Sequence, residues 1–341
     1  MPRVVVLPPA FGYDRPIRFG ANSGEGGAIV TSGISRREWL AASAVGTVGA
    51  ACRGREAEAA PEAPRPFEFA LNTSTISGQK LSIVEEIALV AKAGYDGIEP
   101  WIRELDAHTK AGGRLEDLAK QAKDLNLQFV DLIGFFEWAV DDDARRKKGL
   151  EEARRNFEMV RKVGGNRIAA PPFGATDRAD LDLRKVAERY RALADLGDEF
   201  GVTPLVEVWG FSKPISRLGE AAMVAMESGH PRAAILGDVY HLHKGGSDYG
   251  GLRLLGRDAM PVLHMNDFPD APREKLADSD RVYPGDGVAP LKGILRTLHD
   301  GGIRTVLSLE LFNRDYWKDD ATVVVRVGLE KMRSAVRSAL A

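Results

Sequence analysis

Pro204-Leu205-Val206-Glu207, Ala234-Ile235-Leu236-Gly237-Asp238, Pro261-Val262-Leu263-His264 and Val306-Leu307-Ser308-Leu309-Glu310 are four short apolar runs. Each ends on a residue able to hold a divalent metal. Apolar runs of this length, bounded by polar or turn residues, read as buried strands. An unpaired charge is costly to bury, so one carboxylate at a strand end is ordinary. Four ligand-type residues at four successive strand ends point to a shared purpose. In the last run, period-two alternation sets Ser308 and Glu310 on one face and Leu307, Leu309 and Leu311 on the other.

Working back from these runs, strand-like and helix-like patterns alternate from Phe67 onward. Strands are expected at 67–72, 95–99, 127–132 and 167–170, ahead of the four runs above. Helices are expected at 83–93, 115–125, 143–163, 181–200, 217–228, 249–256, 291–300 and 322–340. Eight βα units in about 275 residues predict an α/β fold of the closed (β/α)8 TIM barrel type, whose typical length is about 250 residues. An open doubly wound sheet would want a Gly-rich loop after its first strand. That position reads Asn72-Thr73-Ser74-Thr75-Ile76-Ser77. The barrel reading gives the strand ends meaning, because barrel active sites lie at the C-terminal face.

The chain has 341 residues, 44% hydrophobic and 28% charged, with a formal net charge of −2. That balance fits a globular protein with a substantial core and offers no global basic field for nucleic acid or anionic membrane. Cys52 is the sole cysteine, which excludes intrachain disulfides and thiolate zinc clusters.

The N-terminus is of another kind. Arg36-Arg37 precedes the weakly apolar stretch 41–51, a pattern that resembles a twin-arginine export signal. The stretch is shorter than the ~20 residues of a membrane span. The expectation is export through the twin-arginine translocase to a periplasmic or other extracytoplasmic location. Ala57-Glu58-Ala59 offers a cleavage site. Gly49-Ala50-Ala51-Cys52 resembles a lipoprotein box, but Gly49 stands where Leu is usual, so a lipid anchor at Cys52 is the weaker reading. Residues 1–66 are thus assigned to signal region and linker, and 67–341 to the barrel.

The Glu–Asp–His–Glu pattern resembles the xylose isomerase-like TIM barrel superfamily of sugar and sugar-phosphate isomerases and epimerases. The resemblance rests on Leu205-Val206-Glu207, Asp238-Val239-Tyr240-His241, His264-Met265-Asn266-Asp267, Arg281-Val282-Tyr283-Pro284-Gly285-Asp286-Gly287 and Leu309-Glu310. It implies Glu207, Asp238, His264 and Glu310 as metal ligands, His241 and Arg281 as holders of the substrate's oxygens, and Glu207 and Glu310 as the acid/base pair. The chemistry is consistent with this. A divalent metal stabilises the enediolate formed beside a carbonyl, while two carboxylates move protons on opposite faces. Three carboxylates and one imidazole favour Mn, Mg or Co.

Taken singly, Glu207 or Glu310 reads equally well as a salt-bridged barrel glutamate. His264 alone reads as a hydrogen-bonded core histidine, and Asp238 to His241 as a polar loop. Glu99 and Trp101 after the second strand, and Trp209 after the fifth, are expected to line a cavity. The expected function is a metal-dependent isomerase or epimerase acting on a small carbohydrate. A lyase or epimerase on keto-glycosides or inosose-type ketones is the alternative. A nuclease resembling apurinic-site endonucleases is disfavoured, since strands two to four end without histidine and no nucleic-acid surface is evident. A non-catalytic sugar-binding protein would not need a metal between opposed carboxylates. Members of the superfamily often pair through barrel helices, which leaves a homo-oligomer as an option.

Overall fold

The computed structural model describes residues 65–341. The expected signal, its twin arginine, Cys52 and most of the linker lie outside the described residues. Within them, β1 (Glu68–Asn72), β2 (Gly97–Glu99), β3 (Gln128–Phe129), β4 (Arg167–Ala170), β5 (Thr203–Glu207), β6 (Ala234–Asp238), β7 (Val262–Met265) and β8 (Val306–Leu309) form one parallel sheet. Its order is β3-β2-β1-β8-β7-β6-β5-β4. The sheet curls into the expected (β/α)8 barrel. The seam between β3 and β4 is spanned by a backbone hydrogen bond from Ala169 N–H to the Leu132 carbonyl, 2.9 Å, rather than by a ladder.

The short second and third strands have a local cause. Pro100 follows β2 and has no N–H to give the ladder. Pairing resumes one residue later as an isolated bridge between Trp101 and Ile133. The expected strands 95–99 and 127–132 are therefore trimmed rather than misplaced.

Around the sheet lie α1 (Ile83–Ala93), α2 (Ile102–Lys110), α3 (Leu115–Asp124), α4 (Asp143–Lys162), α5 (Leu183–Phe200), α6 (Leu218–Glu227), α7 (Val239–Lys244), α8 (Leu291–Asp300) and α9 (Ala321–Leu340). Their starts follow capping chemistry. Ser82 and Glu85 form a capping box on α1, and Gly94 closes that helix at φ 89°, where a side chain would be strained. Asp142, Asp182 and Asp320 cap α4, α5 and α9. Two helices, α2 and α7, were not anticipated. α2 buries only Ile102 and Leu105, too few apolar positions to show a helical period. α7 has six residues. The helix expected at 249–256 is a 3-10 segment, Tyr249–Leu254. No helix among the described residues is long and apolar enough to cross a membrane.

Strand alternation positions the site. Leu205, Ala234, Leu236 and Val262 pack together inside the barrel. Val206, Ile235, Leu263, Met265, Leu307 and Leu309 join the larger core between sheet and helices. The residue two places beyond a lumen residue also faces the lumen. Glu207 thus stands above Leu205, Asp238 above Leu236, His264 above Val262 and Glu310 above Ser308.

The loop after β3 is anchored where Gly149 of α4 meets it. A Cβ at Gly149 would lie 2.5 Å from the Glu137 carbonyl oxygen and 2.7 Å from its nitrogen. Helix propensity alone would make Gly149→Ala stabilising by ~1 kcal/mol, but the contact is with backbone, which yields poorly. We expect Gly149→Ala to destabilise by about 1–3 kcal/mol in denaturant unfolding. A more stable variant would show that this loop gives way.

Candidate metal centre and substrate cavity

Asp238, His264 and Glu310 present ligand atoms that all lie within 4.8 Å of one another, and all three residues are buried. Ladder register brings the first two together, since Asp238 pairs with His264 and His264 with Ser308. His264 Nδ1 lies 3.0 Å from Glu310 Oε2 and 3.5 Å from Asp238 Oδ2 but makes no hydrogen bond. The other ring nitrogen, Nε2, is 2.9 Å from Glu99 Oε1. With Nε2 as the donor to that carboxylate, Nδ1 keeps its lone pair aimed at the carboxylate pair. This arrangement suits a metal-binding histidine, whose second nitrogen usually donates to a carboxylate. The donor set therefore fits a divalent metal.

Glu207 is buried in the wall of the same cavity but outside that three-residue group, and its Oε2 makes no hydrogen bond. Burial pushes its carboxyl up to about 8, with Glu310 adding to the rise and His264 opposing it. For Asp238, burial opposes ionisation, but Arg281 and then His241 hold the carboxyl below its usual range.

Asp238 has two tasks. Its Oδ1 accepts the His241 N–H at 2.8 Å and so caps α7. That cap turns the chain after β6 and brings His241 to the cavity. Asn266 fixes the arrangement by accepting from Tyr240 N at 2.8 Å and donating to Asp238 Oδ2 at 3.2 Å.

Arg281 is fully buried. Its Nη1 is 2.9 Å from Asp238 Oδ2 and 2.7 Å from Glu310 Oε2. Its Nη2 is 3.1 Å from His241 Nε2 and 2.5 Å from Asp278 Oδ1. The guanidinium also sits over Tyr240 and Phe312, 4.5 and 5.1 Å from their ring centres. Burial lowers the His241 imidazole to about 4, and the Arg281 charge also disfavours its protonation while Asp238 opposes the shift. His241 is therefore neutral near pH 7.

The loop carrying Arg281 is pinned by Asp267. Its carboxylate accepts from the N–H groups of Phe268, Gly285 and Ala289 at 2.8 to 2.9 Å. Gly285 adopts φ 91°. At Gly287 a Cβ would come within 2.2 Å of the Phe268 carbonyl oxygen. The Pro-Gly-x-Gly sequence is thus a requirement of this turn.

Asn72, Glu99 and Ser308 underlie the centre. Glu99 Oε2 accepts from Ser308 Oγ at 2.6 Å and Asn72 Nδ2 at 3.0 Å. Asn72 also reaches Glu310 Oε1 at 3.2 Å and receives Trp101 Nε1 at 3.0 Å. Glu99, expected to line the cavity, instead braces His264 from beneath. Trp101 and Trp209 do line it. The cavity, about 230 Å³, is also bounded by Phe135, Phe211 and Phe312, with Glu207, His241, Arg281 and Glu310 among its polar groups. Sequence reasoning did not single out Asn72, Asp278, Phe135, Phe211 or Phe312. The Asn immediately ending β1 was the one available signal.

The chain belongs to the xylose isomerase-like TIM barrel family, whose model matches residues 87–335. It is 26% identical over 261 residues to an inosose isomerase of Bacillus velezensis, covering 75% of this chain and 92% of that protein. It is also 26% identical over 255 residues to a 3-dehydroshikimate dehydratase of Pseudomonas aeruginosa, covering 72% of this chain and 38% of that one. Among solved structures it resembles the IolI protein with a bound zinc atom, with a TM-score of 0.74 and 21% identity over 80% of this chain and 99% of that one. The expected class, an isomerase or epimerase, agrees with the inosose isomerase similarity.

If Glu99 sets the His264 tautomer, Glu99→Gln should weaken metal binding about 10- to 100-fold while leaving the fold intact. Equilibrium dialysis against Mn²⁺, with circular dichroism as the folding check, measures this. Unchanged affinity would remove Glu99 from the metal centre.

Proposed function

We propose that this chain is a divalent-metal-dependent isomerase or epimerase of a small carbohydrate, acting by proton transfer beside a carbonyl. The observation that carries the proposal is the buried Asp238, His264 and Glu310 cluster, whose Glu310 lines a cavity that also presents Glu207. The hard, oxygen-rich donors favour Mn, Mg or Co. When bound, such an ion would stabilise negative charge developing on the substrate's carbonyl oxygen and neighbouring hydroxyl.

The chain's own groups supply the rest. Glu207 and Glu310 are the acid and base that remove a proton at the carbon beside the carbonyl and return one. Arg281 and His241 bind the substrate's oxygens, with Arg281 fixed in place by Asp238, Glu310 and Asp278. The aromatic wall excludes water and orients the ring. Elimination from a keto-glycoside or inosose-type ketone starts with the same proton removal. The similarity to both an isomerase and a dehydratase keeps that second reading in view.

We also propose that residues 1–66 export the barrel at 67–341 through the twin-arginine translocase. Replacing Arg36 and Arg37 together by Lys should hold the precursor in the cytoplasm, because the pair is read as an address. Cell fractionation of wild type and variant checks this, and equal export of both would dismiss the signal.

Chelation should abolish turnover, and Mn, Co or Mg should restore it. Glu207→Gln and Glu310→Gln should each lower kcat by about 10² to 10⁴, because the amide keeps an oxygen but cannot exchange the proton. The two variants should differ in exchange of substrate hydrogen with D₂O, one retaining it without completing the reaction. Product free of solvent deuterium, formed at near wild-type rate by both, would refute the two-carboxylate mechanism.

A further inference from the structure

We propose that the cavity mouth carries an outer aromatic subsite, built by Phe173 and Phe211, that takes an aryl group attached to the sugar. The substrate class is then an aryl keto-glycoside, a deepening that rests on the carbohydrate reading above. The inner cavity is about 230 Å³, below the ~300–1,000 Å³ that encloses drug-sized ligands. That volume suits one small ring beside the carboxylates.

The aromatic wall does not stop where that cavity does. Phe135, in the wall, contacts Trp101 at 5.4 Å, Trp209 at 5.8 Å and, further out, Phe173 at 5.4 Å between ring centres. Trp209 in turn contacts Phe211 at 5.1 Å. Along this series exposure rises from 9% at Trp101 to 40% at Phe173 and 50% at Phe211. Isolated exposed apolar residues need no explanation. Here two phenylalanines, on the loops after β4 and after β5, are joined ring to ring with the walls of one cavity.

The lip is also held in shape. Phe173 lies in a turn closed by its own N–H to the Pro171 carbonyl at 2.7 Å and by Ala175 N–H to the Pro172 carbonyl at 3.1 Å. Ser212 N–H bonds the Trp209 carbonyl at 2.8 Å on the other loop. Lys213 N–H reaches the Thr176 carbonyl at 2.7 Å and ties the two loops together. Aromatic faces fixed at the opening favour a flat ring by offset or edge contact. A ring bonded to the sugar's outward end would meet them as the sugar enters.

The test compares Mg²⁺-loaded protein binding methyl and phenyl 3-ketoglucosides by titration calorimetry. The phenyl compound should bind about ten-fold tighter or more. Phe173→Leu with Phe211→Leu, which keeps apolar bulk but removes both rings, should bring the phenyl-to-methyl affinity ratio close to one. Phe173→Leu alone, at a ring outside the inner cavity, should lower that ratio with methyl binding unchanged. Equal affinities in the wild type, or an advantage that survives the double variant, overturn the subsite while leaving the carbohydrate reading standing. Failure of both glycosides to bind a protein that binds metal brings down the carbohydrate reading, and the subsite with it. Concentration-dependent dimerisation that the double variant abolishes would make the lip a face between copies, and that also overturns the proposal.

Discussion

Burying several carboxyl groups in one barrel mouth is the constraint around which this structure is arranged. Each ion removed from water costs several kcal/mol unless paired and hydrogen-bonded. Glu99, Asp238 and Glu310 are compensated within the protein by Arg281, by His264, and by the dipoles of Asn72, Ser308 and Asn266. Burial opposes charge on His264, but Glu310 and Glu99 push its imidazole well above the ordinary range, so its proton and a divalent cation would compete for the same carboxylates. Asp131 does not enter this balance. It is fully buried with neither oxygen bonded, and burial, followed by the nearness of Glu99, raises its carboxyl well above the ordinary range. The rise favours its protonated form.

The same constraint explains which parts were legible in sequence. Period-two alternation is a property of a single strand, so it placed Glu310 in the lumen without knowledge of its neighbours, and Glu207, Asp238 and His264 were legible as the residues that end three other apolar runs. The Glu99–His264 and Asn72–Glu310 contacts join residues 165 and 238 positions apart, and they exist because β1 lies between β2 and β8. No local pattern encodes such a pairing. The strand-two glutamate could be recognised as a lumen residue, but its depth beneath the cavity could not. Phe135 and Phe211 escaped for another reason. They belong to loops, where there is no period to say which way a ring points.

Arg281 was legible through its surroundings more than through itself. The Pro284-Gly285-Asp286-Gly287 turn and Asp267 form a clamp that serves only to present it, since Gly285 supplies the left-handed backbone and Gly287 the space beside Phe268. A long, flexible side chain becomes a fixed cation when its loop is fixed and its guanidinium is held by Asp238, Glu310 and Asp278. Pre-positioning of this kind makes a charged group effective, because nothing need reorganise when negative charge develops nearby.

The two proposed acid–base glutamates are held unequally, and the inequality follows from the strands that carry them. Glu310 ends β8, next to β1, so Asn72 reaches it from one side and Arg281 from the other. Glu207 ends β5, on the far arc of the sheet, where Trp209, Phe135 and Phe211 wall the cavity and the Trp209 side chain is a hydrogen-bond partner in place of a cation. One carboxylate contacts a fixed guanidinium at 2.7 Å. The other is buried against rings with an oxygen unbonded, which favours its protonated form. Pairs of titratable groups whose environments diverge in this way divide naturally into an acid and a base. Under the proposed mechanism, this division would make Glu310 the base and Glu207 the acid that delivers a proton to the opposite face.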